Sequence, residues 1–270
     1  MRPRSASSAP KWWTLPRTSC RPSWPICTSG SKPPAGSSRH GICQGKARHG
    51  SGSGGETVAS VYQLALGPDF RLLQPELQQY FSLSPAAQND GGATVSGVGS
   101  GTFDVAGCPI PVLRPFLTLA SSDNALFPEY QHQVPFTIEN RASLAAGGHP
   151  QLTAVRTLHF ENRTRIMEDR TSWDDALGTA VGALGRSGRL LTDVTCSVGG
   201  GGSMRIVSRR SRLATGRRSV RLPLLFDAAA FTEQWWDDYD QRFRIRTKVI
   251  QRQFGTVLEY DGSFTYSAPA

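Results

Sequence analysis

The stretch Glu233–Tyr266, EQWWDDYDQRFRIRTKVIQRQFGTVLEYDGSFTY, decides the fold. Phe243, Ile245, Thr247 and Val249 alternate with Arg242, Arg244, Arg246 and Lys248. A period of two sends these sets to opposite faces of a strand, one fit for a core and one for water. That is the mark of an antiparallel strand buried on one side. Phe254, Thr256, Leu258 and Tyr260 continue the alternation on a second strand. Asp261-Gly262 has the residues of a tight hairpin, and Phe264 and Tyr266 fit a short last strand. Trp235-Trp236 sits among Glu233, Asp237, Asp238 and Asp240. Two readings stand for the tryptophans: core packing beside an acidic turn, or an aromatic wall for a ligand. The basic strand face reads as a solvated surface that guards an edge.

Outward from this stretch, the same period recurs upstream. Phe136, Ile138, Asn140 and Ala142 share one face; so do Leu152, Ala154, Arg156, Leu158 and Phe160, and then Thr164, Ile166, Glu168 and Arg170. Leu190, Thr192, Val194, Cys196 and Val198 make another strand, and Gly199–Gly202 its hairpin tip. Before the strands, Val58, Val61, Tyr62, Ala65 and Leu66 form a helical stripe that Gly67-Pro68 ends. A second helix opens at Pro75, and Leu113–Ala120 carries a third. Gly97, Gly99 and Gly101 lack the further glycine of a dinucleotide fingerprint, since Thr102 stands in its place, so this run reads as a bent strand or bulge. The sum is α+β: about three short helices toward the N-terminal side, then a mainly antiparallel sheet, curled or barrel-like.

Composition separates the chain into two parts. Nine of the 30 basic residues and none of the 21 acidic ones lie in residues 1–55. The remaining 21 basic residues offset the 21 acidic ones, so the whole net charge of +9 belongs to this segment. The high positive charge is therefore weak ground for a nucleic-acid partner of the folded part, and any such binding would work through the tail. Residues 1–55 are rich in Ser, Gly and Pro and nearly devoid of aliphatic residues, which reads as a disordered basic tail, inert or an artefact of the gene model. A single β-rich domain is expected over 56–270. Cys108 and Cys196 fit buried thiols in a reducing compartment, and no apolar run reaches a membrane span of about 18 residues; a cytoplasmic protein is expected.

Candidate chemistry rests on polar residues placed on otherwise apolar faces. Asn140, Arg156 and Glu168 fall on three successive predicted strands and would converge inside the curl. A buried arginine needs a carboxylate; Glu168 is the nearest candidate and Glu233 the next. The pair would fix register, or would anchor a ligand in an apolar cup together with Trp235 and Trp236. No metal-ligand spacing, cofactor motif or nucleophile motif is present.

The segments VYQLALGPDFRLLQPELQQYF, GTFDVAGC, FPEYQHQVPFTIEN, LTAVRTLHF, TEQWW and KVIQRQFGTVLEYDGSFTY occur in this order. Together they resemble a bacterial family, domain of unknown function 4166, over about residues 58–266. The resemblance carries no established activity. It implies an accessory or small-molecule setting, because related domains can follow a dehydrogenase-like domain, which would be a partner here. Three functions are expected to compete. The first is a non-catalytic binding or accessory module with an apolar cup for a small molecule or lipid. The others are an enzyme using the carboxylates Glu168 or Glu233 and a tail-mediated nucleic-acid binder.

Overall fold

A computed structural model describes residues 58–85, 95–145, 147–216 and 218–267, and the tail assigned to residues 1–55 lies outside the described residues. The architecture is a closed antiparallel β-barrel. Around the ring the strands run β6 (Leu190–Val198), β5 (Thr179–Leu184), β4 (Arg163–Asp174), β3 (Pro150–Phe160), β2 (Tyr130–Leu144) and β1 (Val95–Gly107). They continue through β11 (Gly255–Ser267), β10 (Arg242–Gln251), β9 (Ala228–Asp237) and β7 (Met204–Thr215). Pairing of β6 with β7, from Leu190↔Leu213 to Val198↔Met204, closes the ring of ten. A short strand β8 (Arg218–Arg221) lies outside the ring and pairs with the far end of β7.

The helices are few and short: α1 (Val61–Leu66), α2 (Pro75–Phe81) and α3 (Arg114–Ser121). The expected antiparallel, barrel-like sheet with short N-terminal-side helices is present, and only the α+β label is corrected, to a β-barrel with helical accessories. Ser60 starts α1 with a capping box, accepting from the Gln63 amide while Gln63 Oε1 accepts from its own. The same Ser60 hydroxyl donates to the Phe81 carbonyl at 2.6 Å and so ties α1 to α2. Gln74 fastens the pair to the barrel rim: its amide side chain accepts from the Trp236 N–H at 2.8 Å and donates to the Trp236 carbonyl at 3.0 Å. Tyr62, Leu66, Leu77, Tyr80 and Phe81 thereby join the interior cluster and plug this end of the barrel.

The alternation expected for β2, β3 and β10 holds. Phe136, Ile138 and Asn140, then Ala154 and Leu158, then Phe243, Ile245 and Thr247 are buried inside. The outer wall of β10 is an ionic ladder: Arg244 meets Asp237 at 3.3 Å, Arg246 meets Asp261 at 2.6 Å, and Lys248 meets Glu259 at 3.5 Å. Three sites depart from expectation. First, β11 runs unbroken through Asp261-Gly262, and the turn lies instead between Gln251 and Gly255, whose φ is +77°. Gly262 answers to close packing, because a Cβ there would stand 2.3 Å from the Thr102 carbonyl oxygen. Second, β4 has the opposite facing: Met167 and Thr171 are buried, while Ile166 is exposed. A slip of one residue exchanges the faces completely. Third, Trp235 and Trp236 lie on a strand, β9, with the acidic turn 238–241 directly after it, and so point to opposite sides; only Trp236 packs against the core.

Candidate functional site

The inward residues of β2, β3 and β4 build a polar wall inside the barrel. Asn140 is 2% exposed, and its Nδ2 donates to the Tyr80 hydroxyl at 3.0 Å and the Tyr266 hydroxyl at 3.4 Å. Gly97 makes room for this cluster, since a Cβ there would lie 2.1 Å from the Tyr266 hydroxyl oxygen. The Tyr80 ring meets Tyr266 edge-on at 4.5 Å and Phe243 at 5.3 Å. Burial pushes the Tyr80 hydroxyl up to about 12, against the opposing pull of the Asn140 hydrogen bond and the Arg156 charge.

Arg156 lies beside Asn140 on the neighbouring strand, and its Nη1 donates a short hydrogen bond to Asp169 Oδ1. Burial is the largest single influence and works against the guanidinium, but the Asp169 charge and hydrogen bond together with Tyr260 and Tyr80 outweigh it and hold Arg156 protonated. Asp169 is thus the partner, one residue from the expected Glu168. Glu168 lies on the outer face, opposite Val155. Glu233 is also outside the interior, accepting from the Ser203 hydroxyl at 2.9 Å and Arg205 Nε at 3.0 Å. Trp235 sits outside under the Arg246 guanidinium, 5.8 Å from its ring, whereas Trp236 packs inward at 4.9 Å from the Phe243 ring. The structure therefore brings Asn140 and Arg156 together and separates Glu168, Glu233 and Trp235 from them.

Between the helix plug and these walls lies a cavity of about 140 Å³. Tyr62, Tyr80 and Phe81 form its helical side, and Asn140, Arg156, Asp169 and Thr171 one wall. Thr192, Gln234 and Thr247 line it from other strands. The Tyr62 hydroxyl is hydrogen-bonded to Thr171, and burial raises its pKa far above the usual tyrosine range. Gln234 is 3% exposed, and its buried Nε2 has no protein partner. A buried amide without an acceptor costs about 1–3 kcal/mol, so a bound acceptor, water or ligand, belongs there. Gln234 escaped the sequence reading because the strand character of β9 was not recognised; placing Phe243 and Ile245 inside would have fixed its direction through their partners Trp236 and Gln234. No cluster of metal-binding side chains occurs among the described residues.

The model of a family described as "Domain of unknown function (DUF4166)" matches residues 73–264. The chain belongs to this family. The DUF4166 match runs from just before α2 into β11, so α2, Asn140, Arg156, Asp169 and Gln234 lie inside it, while α1 and Tyr266 lie just outside. A relative, the uncharacterized protein YndH of Bacillus subtilis (strain 168), is 25% identical over 207 residues, covering 77% of this chain and 97% of its own length. No solved structure matches the chain.

Proposed function

We propose that this DUF4166 barrel is a non-catalytic binding module that holds a small molecule in its interior cavity. The observation that carries the reading is Gln234: a buried amide donor, without a protein acceptor, lining a cavity walled by tyrosines and an arginine. Size narrows the ligand. Drug-sized pockets measure about 300–1,000 Å³, whereas a cavity near 150 Å³ accommodates a molecule such as benzene. A compact, partly apolar ligand with a carbonyl or hydroxyl acceptor fits these dimensions better than a lipid chain. The family's association with dehydrogenase-like domains agrees with a small-molecule setting. The unpaired Cys108 and Cys196 accord with a cytoplasmic one. The enzymatic alternative loses its two expected carboxylates, since Glu168 and Glu233 do not line the cavity, and the carboxylate that does, Asp169, is engaged by Arg156.

Native mass spectrometry of the full-length chain tests the proposal. A noncovalent adduct that denaturation releases is expected, as is a raised Tm with a small cyclic amide such as 2-pyrrolidone; occupancy at a hundred times Kd adds about 2.7 kcal/mol. Gln234→Leu and Arg156→Met chains that stay folded should bind more weakly. Unchanged affinity in both variants, or neither adduct nor Tm shift in the native chain, defeats the reading.

A further inference from the structure

The barrel end opposite the helix plug exposes apolar side chains on two adjacent loops. Among the described residues, six of the thirteen large exposed apolar side chains lie on these loops or on the adjoining β7–β8 hairpin: Leu213 and Val220 on the hairpin, and Leu224, Leu225, Phe226 and Phe254 on the loops. Leu224 is 66% and Phe226 64% exposed. Isolated exposed leucines need no explanation, but a gathering of this size does.

Gln251 holds the two loops side by side. This side chain is 4% exposed, and its Nε2 donates to the Leu224 and Leu225 carbonyls at 3.1 and 3.3 Å. Its Oε1 accepts from the Gln253 and Phe254 amides at 2.6 and 2.9 Å. One buried amide therefore ties the β8–β9 loop to the β10–β11 turn. The Phe226 and Asp227 amides close back on the Pro223 carbonyl, and the Leu222 amide on Ser211. The backbone is consequently fastened inward while the apolar side chains stay outside. A loop shaped only by water would not keep Leu224, Leu225 and Phe226 together at its outer surface.

The surrounding charge identifies what this surface meets. Arg218, Arg221 and Arg252 are exposed, with no carboxylate partner among the described residues. Arg210 is 69% exposed and reaches Asp193 only at 3.6 Å, in competition with Arg212 at 2.6 Å. Asp227 is occupied by the Ser211 amide at 3.0 Å. An apolar tip with exposed arginines on the adjoining hairpin and turn is complementary to an anionic lipid surface: the leucines and phenylalanines enter the acyl boundary, and the guanidinium groups pair with headgroup phosphates. An acidic protein could meet the arginines but would need its own apolar face of matching shape.

We propose that this end of the barrel docks on an anionic bilayer surface through Leu224, Leu225, Phe226 and Phe254, with Arg218, Arg221 and Arg252 as headgroup ligands. The docking is peripheral, and it is independent of what the interior cavity holds. Co-sedimentation of the full-length chain tests it, with vesicles of phosphatidylcholine alone and of phosphatidylcholine mixed equally with phosphatidylglycerol. Binding to the mixed vesicles that weakens with salt is expected. The basic N-terminal segment could contribute charge, so the deciding variant keeps every charge. Leu224→Ser with Phe226→Ser should retain the native Tm and lose vesicle binding at least tenfold. Arg218→Gln with Arg221→Gln should lose roughly fivefold per arginine. Equal recovery on neutral and anionic vesicles overturns the proposal, as does loop-variant binding equal to that of the unaltered chain. Vesicle-independent self-association that the serine variant abolishes, without vesicle binding, also overturns it and assigns the surface to a second copy.

Discussion

Asn140 shows how one side chain joins the two parts of the fold. It sits on β2, and both of its donor contacts go to tyrosines, one on the helical plug and one at the end of β11. Asn140→Ala leaves the buried Tyr80 hydroxyl and the partly buried Tyr266 hydroxyl short of a partner and should cost about 1–3 kcal/mol, read from the midpoint of urea unfolding at constant slope. Arg156 is more sensitive. Arg156→Met strands the Asp169 carboxylate and should destabilise by about 3–5 kcal/mol; adding Asp169→Leu should recover much of that loss. Alkaline pH offers a second measurement. Tyr80 is pushed up to about 12, and burial raises the Cys196 thiol from 9.0 to about 12. Both groups keep their protons longer in the folded chain than in the unfolded one, so their contribution is complete below pH 9. Stability should then fall between about pH 9 and 12, by up to roughly 1.4 kcal/mol per pH unit for each group. The buried Tyr62 adds a slope of the same sign, so a Tyr80→Phe, Cys196→Ala chain should lose part of the total and keep the Tyr62 share in unfolding followed by circular dichroism; an unchanged slope would place the titration elsewhere.

Elements in this protein are shaped by what their neighbours leave open. β1 carries glycine at 97, 99 and 101 because aromatic and backbone atoms of β11 approach the strand closely: a Cβ at Gly101 would lie 2.0 Å from the Ser263 carbonyl oxygen. Gly101→Ala must therefore shift backbone. It should destabilise by about 1–3 kcal/mol in thermal unfolding, whereas Gly178→Ala in the β4–β5 turn meets no atom within 4 Å and strains only its φ of +60°. The glycine run was legible as a bent strand, and the register shift between Phe103 and Val105 is its bulge. β5, β8 and β9 were not legible. β5 has six mostly small residues and β8 four exposed ones, too few to display a period. β9 opens with three alanines and mixes acidic with aromatic residues, so no face stands out. Its direction is set by pairing with β10 at Ile245↔Gln234 and with β7 at Met204↔Gln234.

At the scale of the whole molecule, the ring depends on partners far apart in sequence: β1 pairs with β11, from Val98↔Ser267 to Gly107↔Glu259. Such topology requires long loops to close before their contacts form, so folding in milliseconds to seconds is expected by stopped-flow fluorescence of the tryptophans. Leu77→Ala in the plug should cost about 2–5 kcal/mol, because this fully buried side chain completes the interior cluster from the helical side. The sequence alone determined that the strands are antiparallel and buried on one side, and which faces of β2, β3 and β10 turn inward. On those strands apolar and polar residues alternate without ambiguity, and alternation is a local property of the chain. Only the tertiary structure decided the facing of β4, where Ile166 and Met167 compete; it also decided the splitting of Trp235 from Trp236 and the choice of Asp169 over Glu168. Those outcomes rest on register, which is fixed by bulges and by pairing partners distant in sequence, and a shift of one residue exchanges inside and outside.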